Sequence, residues 1–178
     1  MEDDTRTLSR ERSDLLRTLA KHRDFLRFTV KELSDEQAAL HPTASELCLG
    51  GIIKHVADVE SGWADFIVRG PAAMDDGGDE SNANSQVEDW LARFQMQPGE
   101  SLAGLLEHYE EVARRTDELV ANLADLDESH PLPVAPWFEE GAQWSARRVL
   151  LHILAETAQH AGHADIIRES LDGSKTMG

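Results

Sequence analysis

The chain of 178 residues has a single cysteine, Cys48. No internal disulfide can form, and nothing in the thiol content calls for an oxidising compartment. No stretch approaches the roughly 18–20 consecutive apolar residues of a membrane-spanning helix. The first residues, Met1-Glu2-Asp3-Asp4, are acidic and lead into no apolar run, which predicts no signal peptide and makes the cytoplasm the expected compartment. Basic residues are scarce: 17 Lys and Arg stand against 34 Asp and Glu, a formal net charge of −17. Such a surface repels phosphate backbones and anionic bilayers, so neither nucleic acid nor membrane is expected as a partner. Strand signals are weak as well. No Asn-Gly or Asp-Gly pair joins two alternating runs, and no internal repeat is present.

What the chain does have is an ordinary globular balance, 40% hydrophobic and 29% charged. That is enough to bury a core, and the length suits one domain over residues 1–178. The apolar residues recur with helical period. Leu8, Leu15, Leu16, Leu19, Leu26, Val30 and Leu33 predict a first long helix from about Thr5 to Leu33. Ser34 with Gln37 has the form of a capping box for a short helix ending near Leu40. Leu49, Ile52, Ile53, Val56, Val59, Trp63, Phe66 and Ile67 predict a second long helix, from Ser45–Leu49 to Arg69, stopped by Gly70-Pro71.

Residues 71–86 are acidic and rich in Gly, Asn and Ser, and predict a loop. Val87, Trp90, Leu91 and Phe94 suggest a short amphipathic helix beyond it. A third long helix is predicted over Ser101–Leu126. A connection over 127–144 holds three prolines, and a fourth helix then runs from the N-cap Ser145 to Leu171, ended by Gly173, with a flexible tail over 173–178. Four long helices with short ones in the connections predict an all-α four-helix bundle.

The chemistry lies on the fourth helix. His152, Glu156, His160 and His163 fall at i, i+4, i+8 and i+11, on one helical face. The opposite face, with Leu150, Leu154 and Ala158, is a packing face, so this helix is expected to be largely buried. Buried imidazole and carboxylate groups need partners. Either a hydrogen-bonded polar network or a divalent metal answers that need; Zn²⁺, Ni²⁺ and Fe²⁺ all accept neutral imidazole and carboxylate ligands. A third ligand must come from another helix. His55 is the best candidate, at the edge of the second helix's apolar stripe beside Cys48, Gly51 and Gly62. His22, His41, His108 and His130 have no such context.

Leu49-Gly50-Gly51-Ile52-Ile53-Lys54-His55-Val56-Ala57 with Trp63, and Glu156-Thr157-Ala158-Gln159-His160 with the residues up to Glu169, together resemble the second- and fourth-helix signatures of the DinB/YfiT-like superfamily. The likeness is to an actinobacterial branch related to mycothiol-dependent maleylpyruvate isomerase and thiol S-transferases. The resemblance implies a four-helix bundle, commonly a homodimer, with His55, Glu156 and His160 as the metal ligands, Glu156 standing where many members carry a histidine. His152 and His163 do not match that ligand set and are read as neighbours of the site. The resemblance further implies a metal-dependent S-transferase using a low-molecular-weight thiol such as mycothiol, with an electrophile as second substrate and zinc as the expected metal. The other reading is a non-enzymatic, stress-associated metal-binding dimer.

Overall fold

The computed structural model describes residues 8–74 and 92–176. Helix α1 spans Arg10–Thr29, α2 Asp35–Ala38, α3 Leu49–Arg69, α4 Leu102–Asn122 and α5 Ala146–Asp172. A 3₁₀ turn, Gly70–Ala73, follows α3. The predicted loop beyond residue 74 and most of the predicted Val87–Phe94 helix lie outside the described residues. Among those described, the fold is a bundle of four long helices. Helix α1 packs on α5, α5 on α3, α3 on α4, and α4 closes on α1.

Local chemistry sets the helix ends. Ser9, Cys48, Ser101 and Ser145 each cap a helix by accepting the backbone N–H three residues on. Ser34 and Gln37 form the reciprocal capping box that starts α2. Gly173 ends α5 in the left-handed region, φ 82°, where a side chain would be strained.

Three differences from the sequence reading have physical reasons. Helix α1 starts at Arg10, because Ser9 caps it, and stops at Thr29, with Glu32 at φ 63° turning the chain toward α2. Helix α4 ends at Asn122 rather than Leu126, so that Leu126 can turn into the core. The connection to α5 contains an antiparallel strand pair, β1 (Ser129–Pro131) and β2 (Gln143–Ser145), with His130 opposite Trp144. Residues 174–176 fold back on α5: the Ser174 N–H donates to Asp172 and the Thr176 N–H to Asp165.

The core has two apolar layers. One holds Leu26, Leu49, Ile52, Ile53, Val56 and Tyr109; the other holds Leu19, Trp63, Phe66, Val149, Leu150 and Ile153. Burying an aliphatic side chain of this size stabilises by about 1.5–3 kcal/mol. Between the layers lies a buried polar level made of Arg23, Glu60, Thr116 and Thr157. Arg23 donates to both carboxylate oxygens of Glu60, at 3.1 and 2.5 Å, and to Asp117 at 2.8 Å. Both hydroxyls bond back to carbonyls one turn earlier on their own helices. Each buried polar group on this level is therefore partnered, as burial requires.

Candidate metal centre

Helices α3 and α5 run antiparallel, and their facing edges form one groove. Two turns forward along α3, from His55 to Trp63, match two turns back along α5, from His160 to His152. Both pairs are in ring contact, with centroids 4.8 Å apart for His55–His160 and 4.9 Å for Trp63–His152. Eight residues of helix span about 12 Å. Glu156 lies midway on α5, one turn from each histidine.

His55, Glu156 and His160 each offer a donor atom within 4.8 Å of the other two. Nε2 of His160 lies 3.6 Å from Oε2 of Glu156. Donors at about 2.1 Å from a tetrahedral ion stand roughly 3.4 Å apart, so this edge already has the spacing of a coordination shell. Two imidazoles and one carboxylate are the donor types of zinc and neighbouring divalent ions. The donor set fits such an ion.

The protonation state fits as well. Burial pushes the His55 imidazole down to about 4, helped by the facing charges of His160 and Arg93. Burial also lowers His160, assisted by His163 and opposed by Glu156. Both rings are therefore neutral near pH 7 and offer a lone pair, which is the ligand form.

The segment 92–100 covers His55. Phe94 lies on its ring at 4.1 Å between centroids, tilted 31°. Four residues at the start of α3 hold the segment. Any side chain at Gly51 would overlap the Phe94 carbonyl, and any at Gly50 would overlap Met96. The Cys48 thiol lies 3.7 Å from the Phe94 carbonyl, and Lys54 Nζ donates to the Gln95 carbonyl at 3.2 Å and to Glu100 at 2.9 Å. The α3 edge beside His55 is thus filled by backbone at Gly51, whereas a side chain at Gly62 would meet nothing within 4 Å.

His163 touches the centre from the other side, with Nδ1 3.5 Å from His160 Nδ1. His152 stands apart from it, edge-on to Trp63 and Trp144, which stack on one another at 4.9 Å; Phe138 packs edge-on against both indoles, and Arg148 lies over Trp144. Burial lowers the His152 pKa, with Glu156 opposing and Arg148 assisting. The remaining histidines are elsewhere: His22 beside Phe25, His108 near Asp58, His130 against the Ile67 carbonyl, and His41 exposed before Pro42. Phe94 and the aromatic group at His152 were not foreseen as parts of the site. Their proximity crosses elements, and helical periodicity carries no signal for it.

An all-α bundle with a His/Glu/His cluster between its second and fourth long helices is a bundle of DinB/YfiT-like type. The family model described as mycothiol-S-transferase matches residues 14–173, and the chain belongs to that family. A solved crystal structure of a conserved protein from Enterococcus faecalis has the same fold, with TM-score 0.66 at 11% identity, covering 91% of this chain and 97% of that one. No curated protein matches the sequence. No helix among the described residues is long and apolar enough to cross a membrane.

Proposed function

We propose that the protein is a metal-dependent S-transferase. In this reading His55, Glu156 and His160 hold one divalent ion, zinc by expectation, and the reaction joins a low-molecular-weight thiol of the mycothiol type to an electrophile. The observation that supports it is the meeting of three metal-competent donors in a chain of the mycothiol-S-transferase family. A divalent ion held by three protein ligands keeps a position open and lowers the pKa of a thiol, offering its sulfur as thiolate at neutral pH.

The protein's own groups have separable roles. His55 and His160 are neutral donors, and Glu156 brings one negative charge. The cluster therefore leaves a divalent ion with a net charge of +1, which favours one anionic sulfur. Phe94 lies on the His55 ring and excludes water from that side, which strengthens electrostatic interactions in the site. Cys48 is not the nucleophile: it is buried and its sulfur caps α3. The reaction balances as thiol plus electrophile giving thioether, with the thiol proton leaving with the displaced group.

The test is conjugation of mycothiol to monobromobimane by protein loaded with zinc, nickel or iron. Acceleration that is lost in His160→Ala and kept in Cys48→Ser supports the proposal. If mycothiol, bacillithiol, coenzyme A and glutathione all react no faster with the loaded protein, the transferase reading fails. The non-enzymatic metal-binding role then replaces it.

A further inference from the structure

We infer that the aromatic end of the α3–α5 groove, at Trp63, Trp144 and His152, is the acceptor subsite, and that it takes an elongated electrophile whose far end is flat, apolar and anionic. The inference rests on the reading that the His55, Glu156 and His160 centre carries a thiol, and it adds the class of electrophile brought to that thiol.

Aromatic residues are scarce, 6% of the chain, yet three of the four tryptophans gather at this end. Trp63 is nearly buried and belongs to the core. Outward from it the rings open to solvent. Phe138 and Trp144 are half-buried, and Trp137, in contact with Phe138 at 6.1 Å between centroids, is 77% exposed. The core makes no use of that outer surface, and contiguous exposed apolar surface marks a binding site. Gly62 stands on the same line of α3 as His55, two turns on. A Cβ there would meet nothing within 4 Å among the described residues, so the groove wall beside Trp63 carries no side chain.

Arg148 supplies the charge. It lies one turn before His152 on α5, exposed, with its guanidinium over the Trp144 ring at 4.7 Å. Its one hydrogen bond among the described residues is from its backbone N–H to the Ser145 hydroxyl, so no carboxylate there pairs with the guanidinium. The chain has 34 acidic residues against 17 basic ones. An arginine held on an indole without an acidic partner is therefore a local positive point on a surface that otherwise repels anions. A guanidinium resting on a ring keeps its planar fork of donors for the oxygens of a carboxylate or sulfonate.

The helices set the length of the ligand. Trp63 and His152 are each eight residues from the histidine that faces the metal site on their own helix, about 12 Å along the groove. An electrophile with its reacting carbon at the centre and its flat end among the rings must separate the two by on the order of 10 Å. A small electrophile reaches the centre alone and gains nothing from the rings or from Arg148.

The experiment uses the zinc-loaded full chain, mycothiol and two electrophiles of one chemistry. Iodoacetamide carries the reacting carbon alone; an iodoacetamide joined through an ethylamine linker to naphthalene sulfonate adds the flat anionic arm. In both, the thiol sulfur bonds the methylene carbon, iodide leaves, and the thiol proton passes to solvent. Relative to the uncatalysed rates, kcat/KM is expected to favour the naphthalene reagent. That preference should fall about fivefold in Arg148→Gln and in Trp137→Ala, two exposed positions where the change leaves the core intact. A second arm needs no metal: aminonaphthalene sulfonate, followed by its own fluorescence anisotropy, should bind stripped wild-type protein and bind both variants about fivefold more weakly. No preference for the naphthalene reagent, or a preference and an affinity that both variants leave unchanged, overturns the inference while conjugation of iodoacetamide still supports the transferase reading. If neither reagent is conjugated but the sulfonate binds with the expected dependence on Arg148 and Trp137, the transferase reading fails and the flat-anion site is supported.

Discussion

Arg23 on α1 and Glu60 on α3 form a bidentate ion pair, 2% and 0% exposed, on the polar level that separates the two apolar layers of the core. Asp117 on α4 binds the same guanidinium. Three of the four long helices are thus tied together at the height of Glu156, and the groove that carries the histidines is built on that tie.

Removing one partner leaves a buried charge. Glu60→Ala is expected to cost about 3–5 kcal/mol, because Arg23 then keeps only the half-exposed Asp117. The double variant Arg23→Met with Glu60→Leu should recover much of this, since no charge remains buried. Urea unfolding measures both. A cost under about 1 kcal/mol for Glu60→Ala contradicts the assignment.

Two glycines of α3 make a matched pair. In Gly51→Ala the new methyl overlaps the Phe94 carbonyl, so segment 92–100 must shift off His55. A loss of about 1–3 kcal/mol is expected. Gly62→Ala meets nothing within 4 Å and should be neutral or stabilising by up to about 1 kcal/mol through helix propensity. Melting curves of the two variants check this. Equal effects would contradict the close packing at Gly51.

The depressed histidines make metal-free stability depend on pH. In the unfolded chain His55 titrates near 6.5; folded, burial first and then His160 and Arg93 hold it near 4. Between those values the unfolded chain binds more protons, so stability falls as pH drops from about 6.5 toward 4. His160 is shifted in the same direction. Above about 6.5 the unfolded rings are neutral too, and this contribution is constant. The loss from His55 is on the order of 2 kcal/mol. Wild type compared with His55→Gln across pH 7 to 4.5 isolates it, because the variant lacks that titration. A gap between the two that does not change with pH contradicts the account.

Metal should stabilise the fold. The three ligands come from α3 and α5, about a hundred residues apart in sequence, and the unfolded chain cannot preassemble them. A ligand that binds only the folded state stabilises by about 4 kcal/mol at a thousandfold excess over Kd. A chelator is therefore expected to lower the Tm of loaded protein by several degrees. An unchanged Tm would place the ion at a superficial site.

Much of the bundle was legible because its signals are local. The i, i+3, i+4 spacing of Ile52, Ile53 and Val56 and the caps at Ser34, Ser145 and Gly173 needed no tertiary information. Glu156 and His160 stand out for the same reason, being one turn apart on one helix. The β1–β2 pair was missed because its strands are three residues each and no tight turn joins them. The true end of α4 was missed because Leu126 continues the apolar period while serving the core from a loop. Phe94 was hidden for a different reason: its place over His55 is set by Gly51, Lys54 and Glu100 together, and no single pattern in the chain encodes that.

Metal stoichiometry tests the central claim most directly. Wild-type protein and His55→Ala, Glu156→Gln, His160→Ala and His108→Ala variants would be stripped, reconstituted with zinc, desalted and analysed for bound metal. About one ion per chain is expected for wild type and His108→Ala, none retained by His55→Ala or His160→Ala, and weakened retention by Glu156→Gln, whose neutral amide is a poor ligand. Retention of a full equivalent by His55→Ala or His160→Ala, or no retention by wild type, would contradict a centre built from His55, Glu156 and His160.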